Sequence, residues 1–281
     1  MDYLQILILA IIQGLAELLP VSSSAHVITA EKLMSLDPTT PEMTLLLVML
    51  HTGTMFSTIV YFWSAWKRSY FSSARAFKTN ALWIIVATAL TGVIGYGLMH
   101  VIKHAFMANQ PDFEIEHLFG NARLVAVALA AAGVLIIVSS RIRENPRGEL
   151  SLGRAALIGA VQGLCLPFRG FSRSGATISA ALIAGVARRR AEEFSFALAV
   201  VLTPAVIVRE AWRVYKAQAA MTSEHSAALI HLFTPGLVGM CMSFVAGLLA
   251  LRWLSRWLEG DRWHLFGGYC LAASLVVLWV G

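Results

Sequence analysis

Two short polar stretches interrupt an otherwise apolar chain, and their side chains are of the types that handle phosphate. The first runs from Gln13-Gly14-Leu15-Ala16-Glu17 through Pro20 and Ser22-Ser23-Ser24 to His26. The second runs from Gln162-Gly163-Leu164 through Pro167 and Arg169 to Gly170-Phe171-Ser172-Arg173-Ser174-Gly175-Ala176-Thr177. On a helix, Gln13 and Glu17 lie one turn apart on one face, so both can address one ligand. A lone carboxylate in apolar surroundings is costly unless a cation, a proton or an arginine compensates it. Glu17 is therefore a candidate ligand, with Gln13, for a divalent cation, a candidate general base, or one half of an ion pair. Arg173 has no acid in its own stretch. It either pairs with Glu17 across the chain or clamps a phosphate bidentately.

Ser22, Ser23 and Ser24, like Ser172 and Ser174, precede apolar helices, where serine caps the first turn and the free N–H groups favour anions. A serine of the first cluster or His26 is a candidate nucleophile, and His26 is equally a candidate acid or base. His51, in Leu50-His51-Thr52-Gly53-Thr54, either lines the same cavity or packs. The set suits hydrolysis of a phosphate ester or anhydride better than capture of an apolar ligand.

The elements that carry these residues must lie in a membrane. The 281 residues are 58% hydrophobic and only 14% charged, with a mean hydropathy of +0.70. A soluble domain carries about 25% charged residues, so a large globular core is excluded. The net charge of +6 comes from arginines and lysines scattered between apolar runs, a pattern for cytoplasmic loops and not for nucleic acid. Cys165, Cys241 and Cys270 show no metal-binding spacing. The first residues lack the basic region of a signal peptide.

The pattern predicts an all-α polytopic membrane protein, one integral domain over 1–281. Six spans are expected at 43–66, 81–101, 123–140, 194–215, 228–251 and 264–281. Two further apolar regions, 3–34 and 155–187, are broken at the polar stretches into arms too short to cross, and read as re-entrant helix hairpins. Lys67, Arg68, Arg75 and Lys78, then Arg141, Arg143, Arg147 and Arg154, then Arg188-Arg189-Arg190, and finally Arg252, Arg256 and Arg262 mark the cytoplasmic side. Lys103, Arg123, Arg213 and Lys216 run against that bias. The loop with Asp112, Glu114 and Glu116 is then external. Each half, about 1–150 and 151–281, is one hairpin followed by three spans. Three is odd, so the second half is expected to be an inverted repeat of the first, with both hairpin tips meeting near the midplane.

Residues 13–26 and 170–177 resemble the two signature regions of the undecaprenyl-diphosphate phosphatase family of the bacitracin-resistance type. These are Glu/Gln-x-x-x-Glu followed by Pro-x-Ser-Ser-x-x-His, and Gly-Phe-Ser-Arg-Ser-Gly-Ala-Thr; the likeness extends to Glu193-Phe194-Ser195-Phe196. Two departures are visible: Gln13 stands where many members have glutamate, and Phe168-Arg169 where many have Trp-Pro. The resemblance implies a multi-pass inner-membrane enzyme, open to the periplasm, that releases the terminal phosphate of undecaprenyl diphosphate and recycles the carrier lipid for cell-wall synthesis. It further implies a divalent cation (Mg2+ or Ca2+), a polyprenyl diphosphate as lipid partner, no nucleic acid, and a homodimer. It assigns Glu17, Ser23, His26 and Arg173 to catalysis and Glu17 and Gln13 to the cation; beside these, Gln13, Ser22, Ser24, Ser172, Ser174 and Thr177 are the residues expected to hold the substrate. The rival from another class is a lipid flippase or secondary transporter, since broken helices in inverted repeats also build transporters.

Overall fold

A computed structural model describes residues 2–37, 40–107, 121–168, 170–219 and 224–280. Asp112, Glu114, Glu116 and Arg169 lie outside the described residues. All the regular structure described is helical: α1 Tyr3–Leu18, α2 Ser23–Leu33, α3 Pro41–Ser69, α4 Ala74–Met107, α5 Ala122–Ser140, α6 Leu152–Cys165, α7 Arg173–Ile183, α8 Arg188–Ala219, α9 Glu224–Glu259 and α10 Trp263–Val280. Six are long and apolar enough to cross a membrane: α3, α4, α5, the Arg188–Arg209 part of α8, the Thr234–Glu259 part of α9, and α10. These match the six expected spans.

The helices start where the sequence supplies caps. The Asp2 N–H donates to Gln5 Oε1 at 2.9 Å at the head of α1. Thr40 and Asn121 accept first-turn N–H groups of α3 and α5, and Pro41 occupies the first turn of α3. Several helices outrun the apolar windows. α8 begins at Arg188 rather than near 194, and α9 continues to Glu259. Charged residues at these ends stay helical because they find partners: Glu193 pairs with Arg189 at 3.4 Å and Arg190 at 3.1 Å along one face.

The four short helices set the geometry of the site. At about 1.5 Å per residue, α1 and α6 reach about 24 and 21 Å and α2 and α7 about 16 Å, short of an apolar layer of about 30 Å. They pack in corresponding places. α1 lies on α9 and α6 on α4, while α2 touches α10 and α7 touches α5; α3 packs on α8, and α5 on α10. Small residues allow these approaches. A Cβ on Gly14 would stand 2.6 Å from Ala246 Cβ, and one on Gly133 2.8 Å from the Gly267 carbonyl oxygen.

The arginine-bearing loops meet at one end of the bundle. Arg188 donates to the Leu258 carbonyl oxygen at 3.1 Å, pairs with Asp261, and lies 3.5 Å from Glu144. Arg190 donates to Asn80, which donates in turn to the Ser69 carbonyl oxygen. These contacts join the segments after α3, α5, α7 and α9. Inward from them lies a core of Phe62, Trp66, Phe194, Phe196, Leu254 and Trp263.

Candidate active site

Both broken stretches form a helix, a turn and a second helix, and each turn is held by backbone geometry. After α1, Pro20 cannot continue the ladder. Ser22 then adopts φ 66°, a left-handed conformation unusual for a side-chain-bearing residue, and its Oγ accepts the Ala25 N–H at 3.5 Å to cap α2. In the second stretch Gly170 adopts φ 107°, and a Cβ there would collide with the Val125 carbonyl oxygen. Ser172 Oγ accepts the Gly175 N–H at 3.2 Å and caps α7. The first turn leaves carbonyl oxygens without helical partners. Ser174 Oγ donates to that of Leu19 at 3.2 Å, and Cys270 Sγ to that of Pro20 at 3.3 Å. The two stretches, some 150 residues apart, are thereby fastened turn to turn.

Glu17, on the last turn of α1, is the centre of the cluster. Its Oε2 accepts from Ser23 Oγ at 2.6 Å and from Gln13 Nε2 at 3.2 Å. Its Oε1 accepts from Arg173 Nη2 at 3.0 Å. His51 Nε2, on α3, lies 3.7 Å from Oε2. The Glu17 and Arg173 side chains are 19% and 23% exposed, so the pair is neither sealed nor washed by solvent. Arg173 is braced from behind by the Phe196 ring, 6.0 Å from Cζ, and its Nη1 is buried without a hydrogen-bond partner. A hydroxyl 2.6 Å from a carboxylate oxygen is placed to lose its proton to it. A guanidinium with an uncommitted face is placed to receive an anion.

The remaining expected residues divide. Ser23 joins the cluster. Ser22 and Ser172 serve as caps. Ser174 and Thr177 are buried, and their hydroxyls go to protein: Ser174 to Leu19, and Thr177 to the Arg173 carbonyl oxygen at 2.8 Å, with Ser195 Oγ at 2.6 Å. They shape the start of α7 on which Arg173 stands. Ser24 is partly exposed beside Ser23. His26 faces elsewhere: its Nδ1 is 2.8 Å from the Ser22 carbonyl oxygen and its Nε2 2.7 Å from the Tyr269 hydroxyl. His51, expected either to line the site or to pack, stands within reach of the Glu17 carboxylate. Tyr269 was not anticipated, because a single tyrosine in an apolar span carries no sequence signal.

The donor set bears on the expected cation. Gln13 and Glu17 do share a face, but the Gln13 amide donates to the carboxylate instead of standing beside it as a second ligand. Among the described residues no three His, Cys, Asp or Glu gather to hold a metal ion. One carboxylate therefore fits only a cation that takes its other ligands from water and substrate phosphates, which is the habit of Mg2+.

The sequence pattern of the family described as bacitracin resistance protein BacA matches residues 6–276. The chain is 62% identical over 278 residues to a protein named undecaprenyl-diphosphatase 2 from Acinetobacter baylyi, covering 99% of this chain and 98% of that one. It is 30% identical over 295 residues to an undecaprenyl-diphosphatase from Korarchaeum cryptofilum, with 99% of each covered. It is 32% identical over 285 residues to an undecaprenyl-diphosphatase 2 from Burkholderia thailandensis, covering 96% and 94%.

Proposed function

The chain belongs to the bacitracin resistance protein BacA family, and we infer from that membership and from the cluster around Glu17 that it is an undecaprenyl-diphosphatase. It is a membrane phosphatase that cleaves undecaprenyl diphosphate to undecaprenyl phosphate and inorganic phosphate. Recycling of that carrier lipid for cell-wall synthesis, and resistance to bacitracin, are the functions typical of the family.

In the mechanism we propose, the terminal phosphate lies at the two fastened turns. Ser23 Oγ attacks the terminal phosphorus while its proton passes to Glu17 Oε2. The bond from phosphorus to the bridging oxygen breaks, and undecaprenyl phosphate leaves with the bond's electrons. Glu17 passes the acquired proton to the departing undecaprenyl phosphate; it then takes one from the water that attacks the phosphoserine phosphorus, and returns it to Ser23 Oγ as the bond from phosphorus to Oγ breaks and inorganic phosphate leaves. Arg173 and the first N–H groups of α7 neutralise the charge that builds on the phosphoryl oxygens. The observation that carries this reading is the 2.6 Å hydrogen bond from Ser23 to a carboxylate that Arg173 also holds. It favours Ser23 over His26 as nucleophile, because both His26 ring nitrogens are engaged on Ser22 and Tyr269. A divalent cation would be held by Glu17, and by Gln13 with its amide turned, and would supply further neutralisation of the diphosphate.

The same reading has the two broken stretches enter the membrane as re-entrant hairpins of an inverted repeat. It is supported by helices too short to cross and by the matching partners of the short pairs, α1 on α9 and α6 on α4. The gathering of the basic loops at one end supports a cytoplasmic face there, with the site open to the periplasm and the protein in the inner membrane. The homodimer is proposed on the family resemblance alone.

The test is phosphate release from undecaprenyl diphosphate by the purified protein in detergent, with Mg2+ and no ion gradient. Release that Ser23→Ala abolishes, with 32P trapped on Ser23 in the unmodified protein, is the expected result. A flippase or transporter needs neither a nucleophile nor hydrolysis. Absence of release, with Arg173→Ala unchanged in binding, would favour that reading.

A further inference from the structure

Arg173 is the first residue of α7, and one hydrogen bond fastens its side chain at the site. Its Nη2 donates to Glu17 Oε1 at 3.0 Å, while Nη1 is buried without a partner. A single hydrogen bond fixes neither the plane nor the depth of a guanidinium on a long, rotatable stem. An entering phosphate also competes for that bond, since phosphoryl oxygens and Glu17 are alternative acceptors. What holds Arg173 while its acceptors change must come from elsewhere in the fold. Two consecutive residues of α8, Ser195 and Phe196, meet it at its two ends.

At the side chain, the Phe196 ring lies 6.0 Å from Arg173 Cζ, within the reach over which a ring face attracts a cation. The ring is itself immobile. Phe196 is fully buried and stacks on Phe62, with centroids 5.2 Å apart and planes 23° apart; Phe62 in turn stacks on Trp66 at 5.6 Å. Trp66 Nε1 donates at 3.1 Å to the carbonyl oxygen of Glu193, one turn before Phe196, so the stack closes back on α8. At the main chain, the Thr177 hydroxyl donates to the Arg173 carbonyl oxygen at 2.8 Å. A hydroxyl has one hydrogen, so in the 2.6 Å contact between Thr177 and Ser195 it is Ser195 that donates. Ser195, also fully buried, thereby ties the first turn of α7 to α8.

We propose that Ser195 and Phe196 are positioning residues for the phosphatase reaction. Ser195, through Thr177, fixes where the Arg173 main chain stands, and Phe196 fixes the guanidinium, so Arg173 passes between Glu17 and the phosphate without reorganising. Both residues are buried and act on the transition state only through the preorganised charge of Arg173. This gives the Glu193-Phe194-Ser195-Phe196 run, which lies outside both polar stretches, a part in the site. The inference rests on the reading of Arg173 as the phosphate-binding residue given above.

The experiment compares unmodified protein, Phe196→Leu, Ser195→Ala, Arg173→Lys and the double variant Phe196→Leu/Arg173→Lys in the detergent phosphate-release assay, each taken as the folded fraction from size exclusion. Leucine keeps the position apolar and removes the ring face. Phe196→Leu is expected to lower kcat/KM about tenfold, and Ser195→Ala about threefold. The inhibition constant of inorganic phosphate should rise about fivefold for Phe196→Leu; a merely smaller folded fraction would leave that constant where it is. On the Arg173→Lys background, Phe196→Leu should lower kcat/KM by no more than about twofold, because the planar group it supports is gone. An unchanged inhibition constant, or the same loss of kcat/KM on both backgrounds, would overturn the proposal. If Phe196→Leu yields no folded protein, Ser195→Ala decides by the same constant, a rise supporting the proposal and no change overturning it. Full activity of Arg173→Lys would overturn the site reading beneath it, while leaving phosphate release by the unmodified protein intact.

Discussion

Glu17 concentrates four roles on one carboxylate: it accepts from Ser23, Gln13 and Arg173, and His51 stands near. Substitutions around it should therefore differ in kind. Ser23→Ala, which removes the attacking oxygen, is expected to lower kcat by at least about 10^3-fold with little change in KM. Arg173→Lys keeps the charge but loses the planar fork, and is expected to lower kcat/KM by about 10^2-fold. Steady-state phosphate release in detergent reads both. Near-full activity of Ser23→Ala would move the nucleophile elsewhere. Gln13, Glu17, Ser23 and Arg173 are recognisable in the sequence because charge and hydroxyl clusters are rare in apolar runs. His51 reads in the sequence equally as a site residue or a packing one, and Tyr269 gives no signal there, because both are side chains that ordinarily pack. Their roles depend on which helix lies opposite.

At the scale of elements, the starts of α2 and α7 bring the site together, and each is held by a serine cap and a special backbone residue. Ser172→Ala removes the cap from Gly175 and is expected to cost about 1 kcal/mol of stability, read as a lower midpoint in thermal unfolding in detergent. Gly170→Val is expected to do more. It adds a branched side chain at φ 107° where the Val125 carbonyl already leaves no room, so folded protein should fall sharply in size-exclusion yield. Recovery of Gly170→Val at the unmodified level would show that the turn can rearrange. The positions of the spans were plain from hydropathy, but not their ends. An apolar window stops at the first charges, whereas α8 continues through Arg189, Arg190 and Glu193 because they pair along the helix.

For the whole molecule, the proposed inverted arrangement makes a claim about sides. The segment after the first hairpin should face the periplasm, and the start of the second should face the cytoplasm. In a chain otherwise free of cysteine, Ser35→Cys should react with a membrane-impermeant maleimide on intact cells, and Gly153→Cys only after the membrane is opened. Labelling of both from one side would remove the inversion. By itself the sequence determined that the chain is helical and membrane-embedded, that it has six long apolar segments, and that its chemistry sits in two polar stretches. Those are properties of composition and local spacing, which the bilayer enforces segment by segment. Only the tertiary structure decided that Arg173 meets Glu17, that Ser174 and Cys270 fasten the first turn, and that His26 turns to Tyr269. These contacts join residues some 150 to 250 positions apart. The packing of α1 on α9, α7 on α5 and α10 on α5 creates them, and no local pattern encodes which faces meet.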